Sequence, residues 1–206
     1  MKRAAYNVLL DWKGKSGRKP LIIQGARQVG KTWLMRGFGK KAFGQTAYFN
    51  FEINKALHSI FTSGFDTGKI ISSLNIVAGF KIEPSNTLII LDEIQACPEA
   101  ITSLKYFQEN SPEYNIFAAG SLLGVAIHGG VSFPVGKVEF LSLYPMNFTE
   151  FMNAMGHADL IKAIDFNQPS LMNNFHDQYI DLLKQFLFIG GMPEVVQAFV
   201  QSKNYL

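Results

Sequence analysis

Cysteine is nearly absent from this chain: Cys97 is the only one in 206 residues. A single thiol can build neither a disulfide framework nor a multi-thiolate metal centre within the chain, and it suits a reducing compartment such as the cytoplasm. Histidine is scarce too, and His58, His128, His157 and His176 follow neither HExxH nor Cys/His zinc-ligand spacing, so none is read as a metal ligand. Charged residues make up only 17%, and the formal net charge of +3 is not that of a dedicated nucleic-acid binder. No signal peptide is evident, because Asp11 and Trp12 follow Leu9 and Leu10 almost at once. The longest uncharged stretch, residues 114–136, is interrupted by Asn115, Ser121, His128, Ser132, Pro134 and several glycines. It therefore reads as a buried strand, a turn and a short helix, and no membrane span is expected. Against these absences, 48% hydrophobic residues with 18 phenylalanines are enough for one substantial core.

Glycine punctuates what is present. Gly25-Ala26-Arg27-Gln28-Val29-Gly30-Lys31-Thr32 fits G-x-x-x-x-G-K-[ST] and directly follows the apolar run Leu21-Ile22-Ile23. Gly25 and Gly30 permit positive φ and close backbone approach, so successive N–H groups can turn inward as a nest for phosphate oxygens. Lys31 would reach the β- and γ-phosphates, the Thr32 hydroxyl would ligate Mg²⁺, and the helix beginning there adds the positive end of its dipole. Arg27 and Gln28 carry donors near the expected phosphates, or are simply solvated at the crest of the loop. Trp33, immediately after the loop, is included with Ala26 and Val29 among the expected nucleotide contacts.

Residues Thr87 to Asp92 form a continuous apolar run that ends in Asp92 and Glu93, as a strand buried on both faces of a parallel sheet would read. Ligands of doubly wound sheets lie at the carboxyl ends of strands, which suits Asp92 for holding Mg²⁺ through water and Glu93 for orienting or deprotonating an attacking water. A kinase of the same loop class could share the aspartate, but a glutamate directly after it favours hydrolysis. A further apolar run, Asn115 to Gly120, ends in Ser121. That serine fits either a γ-phosphate sensor or a helix N-cap.

The stretches GARQVGKT, AYFNFE, LIILDEIQACP, AAGSLLG, VEFLSLYPMNFTEF and GGMPEVV, in this order, resemble a group of prokaryotic AAA-type ATPases. The resemblance spans nearly the whole chain. It implies ATP as ligand with Mg²⁺, a protein partner or homo-oligomer, and a further nuclease-like C-terminal domain beyond Leu206, through which nucleic acid could be reached. The family often carries Gly-Arg before the strand leading into its YPxxF motif, whereas this chain has Gly136-Lys137. Lys137 would keep the charge toward a phosphate but lose the bidentate fork, or is a plain solvated lysine at the start of a strand. All four arginines, Arg3, Arg18, Arg27 and Arg36, precede residue 37. The later part of the chain thus holds no arginine finger, a group worth about 10³ to 10⁵ in turnover, and slow hydrolysis is expected without outside help.

The periodicity gives alternating strands and helices over residues 1–145, and for the α/β P-loop NTPase core that the motifs imply a parallel sheet in the order 5-1-4-3-2, flanked by helices, is expected. Strands are expected at 21–23, 46–51, 87–92, 115–120 and 138–143. Helices are expected near 4–12, 31–37, 54–63, 67–79 and 98–109. After Pro145 the pattern turns helical, with segments at 148–155, 158–165 and 171–188 and a last helix from Pro193. Residues 146–206 read as a lid or a connector. Two functions fit: a nucleotide-dependent switch that hydrolyses slowly, or a motor that remodels nucleic acid or a protein partner.

Overall fold

The computed structural model describes residues 2–120, 134–164 and 169–202. The chain divides into two compact units, one spanning residues 5–143 and the other residues 144–206 with the first four. In the first unit, α1 (Ala5–Gly14) precedes β1 (Leu21–Gln24), α2 (Lys31–Ala42) and β2 (Gln45–Asn50). Next come α3 (Ala56–Thr62), α4 (Thr67–Ala78), β3 (Thr87–Asp92), α5 (Pro98–Asn110), β4 (Asn115–Gly120) and β5 (Glu139–Ser142). The five strands form one sheet in the order β2-β3-β4-β1-β5, with every neighbouring pair parallel. Read in reverse, this is the expected 5-1-4-3-2. A strand, β4, thus lies between the loop strand β1 and the Asp-Glu strand β3.

All six residues of β3 and all six of β4 are buried, as central strands covered on both faces must be. Ile22, Ile89, Leu91, Ile116 and Ala118 face the same core as Phe51, Phe61 and Phe107 from the surrounding segments. Each fully buried phenylalanine stabilises the fold by about 1.5–3 kcal/mol. The edge strand β2 alternates instead: Ala47 and Phe49 point into the core while Tyr48 and Asn50 are half-buried on the other face.

Helix α2 runs five residues past the expected end at residue 37, through two glycines. At Gly39 an added Cβ would collide with the Thr46 hydroxyl and come within 3.3 Å of Leu88 Cδ2. This glycine brings the helix close to β2 and β3 rather than ending it.

The second unit contains α6 (Phe148–Ala154), α7 (Ala158–Lys162), α8 (Pro169–Asn174), α9 (His176–Ile189) and α10 (Pro193–Ser202). Met146, Phe151, Val196 and Phe199 form its core. Asn147 and Glu150 close a reciprocal capping box at the start of α6. Glu150 also pairs with Arg3 at 3.1 Å, both side chains being nearly buried. The single helix expected over 171–188 is two helices, because the Phe175 N–H bonds the Met172 carbonyl three residues back and tightens the last turn of α8 until it stops. No helix among the described residues is long and apolar enough to cross a membrane.

Candidate nucleotide-binding site

The chain leaves β1 at Gln24 and turns at Gly25, whose φ is +157° and where a Cβ would collide with the Leu143 carbonyl. Only glycine fits a strand end pressed that closely against backbone. Val29 is fully buried and anchors the loop from below, while Ala26, Arg27 and Gln28 form an exposed crest. Gln28 has a left-handed φ of 64° and Gly30 one of 90°. Gly30 is also the N-cap of α2, and no side chain caps that helix. The first-turn N–H groups are thereby left for an anion, at the positive end of the helix dipole.

At the carboxyl end of β3, the neighbouring Asp92 is 1% exposed. Its Oδ2 accepts a hydrogen bond from the Thr32 hydroxyl at 2.7 Å and another from the Tyr48 phenol at 2.7 Å. Its Oδ1 accepts from the Glu93 N–H at 3.1 Å. The Lys31 ammonium donates to the Gly25 and Ala26 carbonyls at 2.9 and 2.8 Å, spanning the mouth of the loop. Burial pushes the Lys31 pKa down, with the nearby Glu93 and Asp92 carboxylates opposing that shift and Arg27 adding to it. Glu93 has a left-handed backbone, φ 52° and ψ 43°, and its Oε2 accepts from Gln95 Nε2 at 2.7 Å. A non-glycine residue in that region is strained, which is common where a side chain must be aimed.

Of the residues expected to act, the loop Gly25 to Thr32, Asp92 and Glu93 come together at one rim of the sheet. Trp33 is 57% exposed and lines a groove that runs from Thr32 between α2 and β2. Lys137 is not at this rim. It lies two residues before β5, which runs parallel to β1 from Glu139 beside Leu21 to Ser142 beside Gln24, and it forms a 2.9 Å ion pair with Glu109. Four strand residues, about 13 Å at 3.3 Å each, separate it from the loop, so the reading of Lys137 as a phosphate ligand is set aside. A residue just before a strand in a parallel sheet lies at the rim opposite the ligand, and that was legible in the sequence. Ser121 lies outside the described residues.

Tyr48 and Gln95 were missed. Gln95 is two residues past Glu93, near enough to have been considered. Tyr48 is a single aromatic on an edge strand, and only the pairing of Asn50 with Asp92 brings its hydroxyl to the aspartate. Burial, and donation to Asp92, raise the Tyr48 pKa, and the Arg36 guanidinium stands 4.9 Å over its ring.

Residues 17–152, well over half of the chain, match the AAA domain family. The chain belongs to that family. The fold of this AAA domain is shared by the Walker-type ATPase PABY2304 of Pyrococcus abyssi, with a TM-score of 0.56 and 12% identity over 99% of this chain and 68% of that one. Drosophila ORC, solved bound to DNA, gives a TM-score of 0.54 at 18% identity over 96% and 59% of the two chains. Aquifex aeolicus DnaA, solved with AMPPCP, gives 0.50 at 15% identity over 97% and 59%. This AAA domain thus spans about 59–68% of the length of these proteins, and at such identities they share its fold alone. No curated protein matches its sequence.

A magnesium ion fits the donors at this rim. Thr32 and Asp92 offer hard oxygens 2.7 Å apart. No cluster of three or more His, Cys, Asp or Glu side chains exists among the described residues. One carboxylate, one hydroxyl, water and substrate phosphates are the set magnesium takes in nucleotide sites, in contrast to an all-protein cage.

Proposed function

We propose that this AAA domain binds Mg-ATP at the Gly25–Thr32 loop and hydrolyses it slowly, the nucleotide cycle setting a conformational switch. The observation that carries the reading is the 2.7 Å contact between Thr32 and Asp92, which joins the loop and the acidic strand end in one oxygen-rich site. The loop N–H groups would cradle the phosphates and Lys31 would move from the Gly25 and Ala26 carbonyls to the β- and γ-oxygens. Thr32 and Asp92 would hold the magnesium ion, which when bound neutralises charge on those oxygens. Glu93, held by Gln95, would orient the attacking water and take its proton. Ser121, one residue beyond β4, remains the proposed γ-phosphate sensor.

Slow turnover follows from the arginines. Arg3 is paired with Glu150, Arg18 lies over the Trp12 ring, Arg27 belongs to the crest of the loop itself, Arg36 stands over Tyr48, and no arginine occurs after residue 36. A finger would have to come from a second copy or a partner, and without one the corresponding factor of about 10³ to 10⁵ is missing. Residues 1–145 are proposed as the nucleotide core and 146–206 as the lid or connector that changes position.

Calorimetric ATP affinity and phosphate release, measured on the wild type, Lys31→Ala and Glu93→Gln, test this. Lys31→Ala is expected to abolish binding, and Glu93→Gln to keep binding while lowering turnover by about 10² to 10⁴. Equal turnover in the Glu93 variant removes its role. Fast hydrolysis by the wild type alone, near the 1 s⁻¹ or more common for enzymes, rules out the slow switch.

A further inference from the structure

The groove between α2 and β2 has a volume of about 720 Å³, and its lining runs from Thr32 at the edge of the nucleotide site through Trp33, Arg36, Gly37 and Lys40 to Tyr48. No carboxylate lines it. Arg36 and Lys40 are one helical turn apart on the exposed face of α2, and neither forms an ion pair among the described residues. Trp33, one turn earlier on that face, leaves more than half of its surface in solvent although an indole is normally well buried. Two uncompensated cations follow an open aromatic face along one stripe of helix. The low overall charge conceals this, because carboxylates elsewhere offset it.

We propose that this groove binds single-stranded nucleic acid, with Arg36 and Lys40 on successive backbone phosphates and a base stacked on Trp33. Isolated cations meet phosphates with little competition, and an exposed indole accepts any base on its π-face. A duplex keeps its bases stacked on one another and cannot use Trp33 this way. An acidic peptide would satisfy the cations but leave the indole uncovered. Tyr48 forms part of the lining and also donates to Asp92, so an occupant that draws Arg36 off the Tyr48 ring acts on the partner of the proposed magnesium ligand.

Gly37 supplies the test. It lies between the two cations in sequence, and a Cβ added there meets nothing within 4 Å, so Gly37→Glu places a carboxylate in the groove without a packing cost. Glycine is also the poorer helix former, so α2 is retained. The probe is a fluorescein-labelled deoxythymidine 12-mer, titrated by anisotropy against the 206-residue chain, with ATP affinity measured on the same samples. Expected are binding with a log–log salt slope of about −1.4 for two phosphates, and loss of tenfold or more in Gly37→Glu and in Trp33→Ala. ATP affinity should be unchanged in Gly37→Glu. Lack of binding at low salt, full binding by Gly37→Glu, or equal affinity for duplex DNA or polyglutamate overturns the inference. If ATP binds and the oligonucleotide does not, only the groove assignment falls. If neither binds, the nucleotide site falls with it.

Discussion

Asp92 Oδ2 is a buried anionic oxygen with two donors, and a double-mutant cycle on them has a definite expected outcome. Thr32→Val removes one hydroxyl and Tyr48→Phe the other, each without a change of shape. A hydrogen bond to a charged group is worth about 1.5–3 kcal/mol, and in either single variant the second donor remains at 2.7 Å. Each single change should therefore cost about 1.5 kcal/mol, the low end of that range. The double variant leaves Oδ2 of a residue that is 1% exposed with neither donor, which adds the desolvation penalty of an orphaned oxygen, about 1–3 kcal/mol. The total should exceed the sum of the singles by at least about 1 kcal/mol. Urea unfolding at neutral pH without nucleotide measures it. Additivity within about 0.5 kcal/mol, the behaviour of independent sites, would refute the claim that both hydroxyls serve one oxygen. So would two silent single variants.

Gly25→Ala drives a methyl group into the Leu143 carbonyl, which is backbone and cannot swing aside, so a loss of about 1–3 kcal/mol is expected with weakened ATP binding; unchanged calorimetric affinity and melting would contradict the contact. The lowered Lys31 pKa gives a pH signature. Its folded value lies below the ordinary 10.5, so between the two the unfolded chain binds more protons and stability rises with pH through that window. Lys31→Met should lack this rise, and the difference between the two stability-against-pH curves isolates it from the tyrosines. Parallel curves would show that burial does not disfavour the ammonium.

The loop and the acidic strand end were readable because each is a contiguous pattern whose chemistry fixes its place: glycines where backbone must approach an anion, carboxylates where a strand leaves a sheet. The strands were readable from their apolar runs, whereas their order was an expectation for the P-loop class that the spacing alone does not dictate. Contacts set by register between distant strands were not readable, and Tyr48 is the clearest case. Its partner is 44 residues away, and only the pairing of β2 with β3 brings the phenol to Asp92. Of the two readings of Lys137 only the phosphate ligand falls, and the direction of the strand that follows it could have decided between them. The break at Phe175 left no trace in the apolar periodicity, which continues on either side of it.

If Glu93 acts as proposed, its left-handed backbone sets durability against activity. Glycine or asparagine would relax its left-handed conformation and make a sturdier chain, but neither carries an acid. A screen that rewards heat resistance alone should therefore drift toward those two residues at position 93, and its survivors would be long-lived proteins that hold their ligand and do nothing with it.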